Sequence, residues 1–273
     1  MMFHPVIPFG GFSGWLFLNR TMDSQKSAFE KSPEVMREEE YFKNHIGDVK
    51  TADDLVSDRT LLKVALGAFG LSADLDNKFF IKKVLEDGTL ASDALANKLS
   101  DKRYLKMAQA FGFGDYPIPS TGLSDFGDRI TAAYKEREFE VAIGDQNQNF
   151  RLALGIERDL TEIAEKDLNE DTLWLSIMGN EPLRQVFETV LNLPSSFAGL
   201  DLDKQLETFK DKAFSAFGDS GIKQFADKEN REKLTRMFLL RADLQNLNVS
   251  TDGSQTALTL LQGRGQSSNL LLV

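Results

Sequence analysis

Asp58-Arg59-Thr60-Leu61-Leu62-Lys63-Val64-Ala65-Leu66-Gly67-Ala68-Phe69-Gly70-Leu71 reads as one complete helix with both ends marked. Asp58 is a residue type that caps a helix start with its side chain. Leu61, Leu62, Ala65, Ala68 and Phe69 recur at helical spacing. Gly70 stands where a left-handed residue closes the last turn. The plan returns in Asn180-Glu181-Pro182-Leu183-Arg184-Gln185-Val186-Phe187-Glu188-Thr189-Val190-Leu191-Asn192-Leu193. Looser copies lie at 100–113 and 227–240. The order strong, weak, break, strong, weak points to a duplicated helical unit, about 47–115 and 169–242, joined by helices over 126–166. The other reading is that capped amphipathic helices of similar length look alike.

Working outward, the spacing predicts two helices over 20–45, broken at Ser32-Pro33, where Ser caps and Pro opens the next helix. Thr51 and Asp54 form a capping-box-like pair. Further helices are predicted over 76–87, 91–98 and 101–111, then over 170–178, 182–192, 201–216, 219–226 and 228–247. Gly112, Gly114, Pro117, Pro119 and Gly122 mark the clearest break. It is read as the boundary between two helical lobes, 19–115 and 116–247, or as a long surface loop in one domain. Within 126–166, Gly144-Asp145 is a turn between antiparallel helices or a weak point in one long helix. No run of alternating strand pattern occurs, so the fold class is all-α.

The two ends differ from the middle. Residues 1–18 read as an extended, apolar N-terminal arm. Pro5 and Pro8 block helix formation and Gly10-Gly11 punctuates the run. Phe9, Phe12, Trp15 and Phe17 make it the most unusual surface of the chain and the candidate partner-binding residues. Such an arm must dock, on its own domain or on a partner subunit; in the latter case it builds a homo-oligomer. It lacks the basic start and small-residue cleavage pattern of a signal peptide, and no segment is a candidate membrane span. Residues 248–273 are rich in Ser, Thr, Gly, Gln and Asn and read as a flexible tail ending in Leu270-Leu271-Leu272-Val273.

Composition narrows the chemistry. The 273 residues carry 32 Lys and Arg against 42 Asp and Glu, a net charge of −10, which disfavours nucleic acid and anionic membrane surfaces. With no cysteine, disulfides, thiolate nucleophiles and Cys-ligated metals are excluded. Phe outnumbers Tyr by 21 to 4, the usage of a core filled with rings that need no polar partner.

Candidate sites fail in turn. His4 lies in the arm, and His45 at a helix end suits a structural role beside the negative pole of the helix. Neither belongs to a zinc-binding spacing. Gly67-Ala68-Phe69-Gly70 and Gly112-Phe113-Gly114 follow helices and lack the residues of a phosphate loop. Asp74, Asp76 and Asn77 lack the glycine and terminal acid of a calcium loop. Glu38-Glu39-Glu40, Glu136-Glu138-Glu140 and Asp201-Asp203 read as solvated helical faces. The expectation is a non-enzyme with no catalytic, cofactor-binding or metal-ligating residues.

Several blocks carry a resemblance. They are Phe3-His4-Pro5-Val6-Ile7-Pro8-Phe9-Gly10-Gly11 with Gly14-Trp15 and Phe17-Leu18; Thr51-Ala52-Asp53-Asp54-Leu55; Leu62 to Leu71; and Asn77 to Glu86. Leu183 to Thr189 and Leu193-Pro194-Ser195-Ser196-Phe197 continue them. The chain thereby resembles an uncharacterised family of alphaproteobacterial proteins, a domain of unknown function, whose genes tend to lie among flagellar genes. The resemblance implies flagellar association and no catalytic residues. The expected function is a flagellum-associated accessory or structural protein acting through protein–protein contacts, cytoplasmic or exported without a cleaved signal peptide. The alternatives are a cytoplasmic adaptor or export chaperone binding a partner helix, and an enzyme of unknown type.

Overall fold

The helix that opens the reading is α4 (Arg59–Ala68), and its ends form as its sequence dictates. Asp58 Oδ1 accepts from the Thr60 and Leu61 backbone N–H groups at 2.9 and 3.0 Å. At the other end Gly70 N donates to Gly67 O and Leu71 N to Leu66 O, with Gly70 at φ +71°. This is a Schellman closure. The second copy is α12 (Glu181–Val190). Asn180 Oδ1 accepts from Leu183 N at 3.1 Å, and Leu193 N donates to Glu188 O at 2.9 Å. Asn192 takes the left-handed position at φ 51°, where asparagine is tolerated.

The structure is a computed structural model that describes residues 3–245. All regular structure among the described residues is helical, and none is strand. The chain begins with α1 (Gly11–Glu30) and α2 (Pro33–His45). A first run follows: α3 (Ala52–Ser57), α4, α5 (Lys78–Asp87), α6 (Leu95–Lys98) and α7 (Lys102–Phe111). Then come α8 (Phe126–Gly144) and α9 (Gln148–Gly155), which passes through a π turn (Ile156–Leu160) into α10 (Thr161–Ala164). A second run holds α11 (Glu170–Met178), α12, α13 (Leu202–Phe217), a 3₁₀ turn (Lys223–Ala226) and α14, over 228–245.

The two runs share an order and a set of caps. Thr51 and Asn169 cap α3 and α11, Asp58 and Asn180 cap α4 and α12, and Asp101 and Asp227 open α7 and α14. Gly88 and Gly218, both at positive φ, end α5 and α13. The proposed tail, 248–273, lies outside the described residues.

Two expectations are corrected. The extended arm covers only residues 3–10, because helix α1 begins at Gly11. No proline lies between Pro8 and Pro33, and the glycines there admit the chain instead of breaking the helix. A Cβ on Gly14 would lie 1.9 Å from Phe9 O, so the arm turns tightly against its own helix. Nor do the lobes divide at 112–124. One core holds Phe42, Leu62, Val84, Phe111, Phe126, Ile130 and Tyr134. The other holds Leu18, Phe29, Val35, Phe139, Ile143, Phe150, Trp174, Phe187 and Phe238. The boundary therefore falls inside α8, between Tyr134 and Phe139. At 19 residues α8 is about 28 Å long, enough to run through both. The 112–124 segment is a surface loop of the first core. Thr121 Oγ1 donates to Val49 O at 2.7 Å, and Asp115 accepts from the Thr89 and Leu90 backbone.

The open question at Gly144 resolves to a turn. Asn147 caps α9 through Phe150 N, and a Cβ at Gly144 would sit 2.5 Å from Arg151 Cδ, so α8 and α9 pack closely as a hairpin.

Candidate functional site

The arm is held by the second core. Gln25, buried on α1, accepts from Val6 N at 2.7 Å and donates to Val6 O at 3.1 Å. Both backbone groups of Val6 are thus paired through one side-chain amide. Gln146, just past α8, donates to Pro5 O at 2.7 Å. Phe3 packs edge-on to Phe29 at 5.4 Å and near Phe139 at 6.2 Å.

The four candidate aromatics divide between two directions. Trp15 meets Phe150 at 5.9 Å, and Phe12 packs on the second core with the Arg236 guanidinium 5.4 Å from its ring. Phe9 and Phe17 pair with each other edge to face at 6.2 Å, and Arg20 lies over Phe17. Val6, Phe9 and Leu16 are 59%, 57% and 55% exposed. So the inner half of the segment anchors it and the outer half is open.

Two cavities flank α8. The first, about 360 Å³, lies beneath the arm, with Phe3 and His4 on one wall and Glu34, Glu38, Lys63, Tyr134 and Glu138 on the others. Lys63 Nζ is 2.5 Å from Glu38 Oε1 and 3.6 Å from Glu34, and the Tyr134 hydroxyl donates to Glu38. Burial pulls the Lys63 pKa down, but the hydrogen bond and charge of Glu38 outweigh it and leave it raised. Burial and Glu38 push the Tyr134 hydroxyl far up. Lysine as a cation and tyrosine as a neutral phenol are the unreactive forms for nucleophilic or base chemistry.

The second cavity, about 400 Å³, lies between the two cores. Its walls come from the C-terminal end of α4, from α7, α8, α9 and the π turn, and from the start of α12. Arg103, Arg137, Arg151 and Arg158 all line it. Arg103 is bound to Asp101 at 2.6–3.0 Å and to Gly70 O at 2.6 Å. Arg158 donates to Asp159 at 2.8 and 3.2 Å and also to Glu140. Arg137 makes no hydrogen bond among the described residues. Its nearest carboxylate oxygen, on Asp159, is 3.9 Å away. Burial and the like charge of Arg158 push the Arg137 pKa below its ordinary value.

Of the remaining sequence candidates, Gly67, Gly70, Asp74 and Glu140 line the second cavity. His45 ends α2, with Nδ1 2.8 Å from Tyr41 O and its ring stacked on Tyr41 at 4.1 Å. Asp74 receives the Tyr104 hydroxyl at 2.6 Å and the Asn77 amide at 2.7 Å. Among the described residues no group of three or more His, Asp or Glu is placed to hold a metal ion, and no helix is long and apolar enough to cross a membrane. Sequence reasoning missed the clamps Gln25 and Gln146 and the arginine cleft. The one available signal was Arg137 within the otherwise apolar stripe Ile130, Ala133, Tyr134 and Val141.

No curated protein matches the chain. Among solved structures, an X-ray crystal structure of an Agrobacterium tumefaciens protein, solved as a structural-genomics target, has the same fold. The TM-score is 0.71 at 29% identity, covering 89% of this chain and 99% of that one. The family described as "Protein of unknown function (DUF1217)" matches residues 68–230, which span both cores. That match covers more than half of the chain, and the chain belongs to the DUF1217 family.

Proposed function

We propose that this protein is a non-enzymatic accessory or structural component of the flagellum, acting through protein–protein contacts on the surface formed by the arm and α1. The supporting observation is the division of that surface. Its inner side is pinned by Gln25, Gln146, Phe3 and Trp15, while Val6, Phe9 and Leu16 are open to solvent. A segment already fixed in place presents apolar area with little further ordering cost, which favours association. Helix α14 reaches the same place. Arg236 lies over Phe12, a Cβ at Gly11 would be 2.4 Å from Asp243 Oδ2, and Leu240 and Leu244 are exposed. The occupant proposed is an apolar helix of another flagellar protein. The flagellar setting rests on the sequence resemblance.

The test replaces Phe9 and Leu16 with Asp in a flagellated host and fractionates the cells. The unaltered chain is expected with purified flagella, and the variant in the cytosol with an unchanged melting temperature. Recovery of the unaltered chain in cytosol alone favours an adaptor or export chaperone instead. Normal flagella and motility after gene deletion overturn the flagellar reading.

A further inference from the structure

Three other enclosed arginines among the described residues, Arg231, Arg103 and Arg158, are held by hydrogen bonds. Arg231 donates twice to Glu157, at 2.9 and 2.7 Å, and to the carbonyls of Phe225 and Ala226. Arg103 and Arg158 are bound as described above. Arg137 differs. Its side chain is only 21% exposed, less than the 32% of Arg103 and the 24% of Arg158, yet among the described residues it has no hydrogen-bonded partner. Asp159, its nearest acid, is already held by Arg158. No side-chain nitrogen among the described residues is both fully buried and unpartnered, so the donors of Arg137 stay open to solvent and to an arriving anion.

Its position is set by the fold. Nη1 of Arg137 and Nη1 of Arg103 lie 3.0 and 3.6 Å from where a Cβ at Gly70 would be, so the two forks converge over the C-terminal turn of α4. Gly70 has no side chain because the Schellman closure needs φ +71° there, and the same absence leaves room for the guanidinium. Arg151 lines the cavity from α9. The volume, about 400 Å³, suits a small molecule and not a polymer.

We propose that the cleft between the two cores binds a small oxyanion-bearing molecule, with Arg137 taking its carboxylate or phosphoryl group. A planar fork with free donors suits both groups, because each offers paired oxygens at matching spacing.

The test is isothermal titration of the full chain with pyrophosphate, inorganic phosphate and citrate at constant ionic strength. Saturable binding of at least one is expected. Arg137→Gln should weaken it roughly tenfold or more, the loss of one charged two-point contact. Arg137→Lys, which keeps the charge and loses the fork, should fall between. Arg129→Gln, on the exposed side of α8 in a pair with Asp125, should bind like the unaltered chain. Binding of the phosphates alone assigns a phosphoryl ligand, and binding of citrate alone assigns a carboxylate. Should Arg137→Gln fail to fold, Arg137→Lys carries the comparison. No saturable binding by the unaltered chain, or equal affinity in every folded Arg137 variant, overturns the proposal.

Discussion

At the scale of single residues, Gly14 shows how packing reverses an intrinsic preference. Replacing a helical glycine with alanine ordinarily stabilises by about 1 kcal/mol. At Gly14 the new Cβ would meet Phe9 O at 1.9 Å and Phe150 Cζ at 2.9 Å. Phe9 O is backbone and cannot swing away, so Gly14→Ala is expected to destabilise by about 1–3 kcal/mol. At Gly155 the nearest heavy atom to the new Cβ is 3.9 Å away, so Gly155→Ala should stabilise by about 0.5–1 kcal/mol. Urea midpoints of the two variants should move in opposite directions. Gln25 supplies a second residue-level expectation. Gln25→Leu removes both partners of the Val6 backbone and should cost about 1–3 kcal/mol. Protease cleavage within residues 3–10 should then be faster than in the unaltered chain.

Among the elements, the two corresponding helices differ in how their caps titrate. α4 is capped by a carboxylate and α12 by a neutral amide. Burial works to raise the Asp58 pKa. The N–H groups of Leu61 and Thr60 and the Tyr41 hydroxyl outweigh it, so it stands below its ordinary value. A depressed folded-state pKa means that this stability is fully present above the unfolded value of about 3.9. It is lost as pH falls through the folded value. Asp58→Asn keeps the capping oxygen and removes the titration, so its stability should fall less steeply below about pH 4. Asp58→Ala should cost about 1–2 kcal/mol at neutral pH. Thermal melts across that range, beside the unaltered chain, measure both.

The caps were legible because their chemistry is local. Asp58, Asn180, Thr51 and Asp101 each act within three residues of their own position. The end of the arm was not. Gly10-Gly11 reads as a breaker until helix α1 is seen to begin at Gly11, with Phe9 O against Gly14. Gln25 and Gln146 gave no signal, since a glutamine on a helix ordinarily faces water and their partners lie 19 and 141 residues away in sequence. Arg137 was visible as an anomaly in an apolar stripe. Its unmet donors depend on where Asp159 and Gly70 come to rest, which is tertiary information.

For the whole molecule, the chain order misleads about where one core ends. α1 packs with the second core although it precedes the first, and α8 supplies Phe126, Ile130 and Tyr134 to one core and Phe139 and Ile143 to the other. Residues 1–115 expressed alone should therefore lack a cooperative thermal transition, because the first core loses the face that α8 fills. A fragment with sharp, reversible melting would contradict this. The same shared helix has a thermodynamic consequence. Val141 lines both the cleft that holds Arg137 and the cavity roofed by the arm, so one side chain is a wall common to both. If filling the cleft shifts how firmly the arm sits, then seating the arm must shift affinity in the cleft by the same factor. The two faces of α8 would then be a lock and a key to one another, each reporting the state of the other without any contact between their occupants.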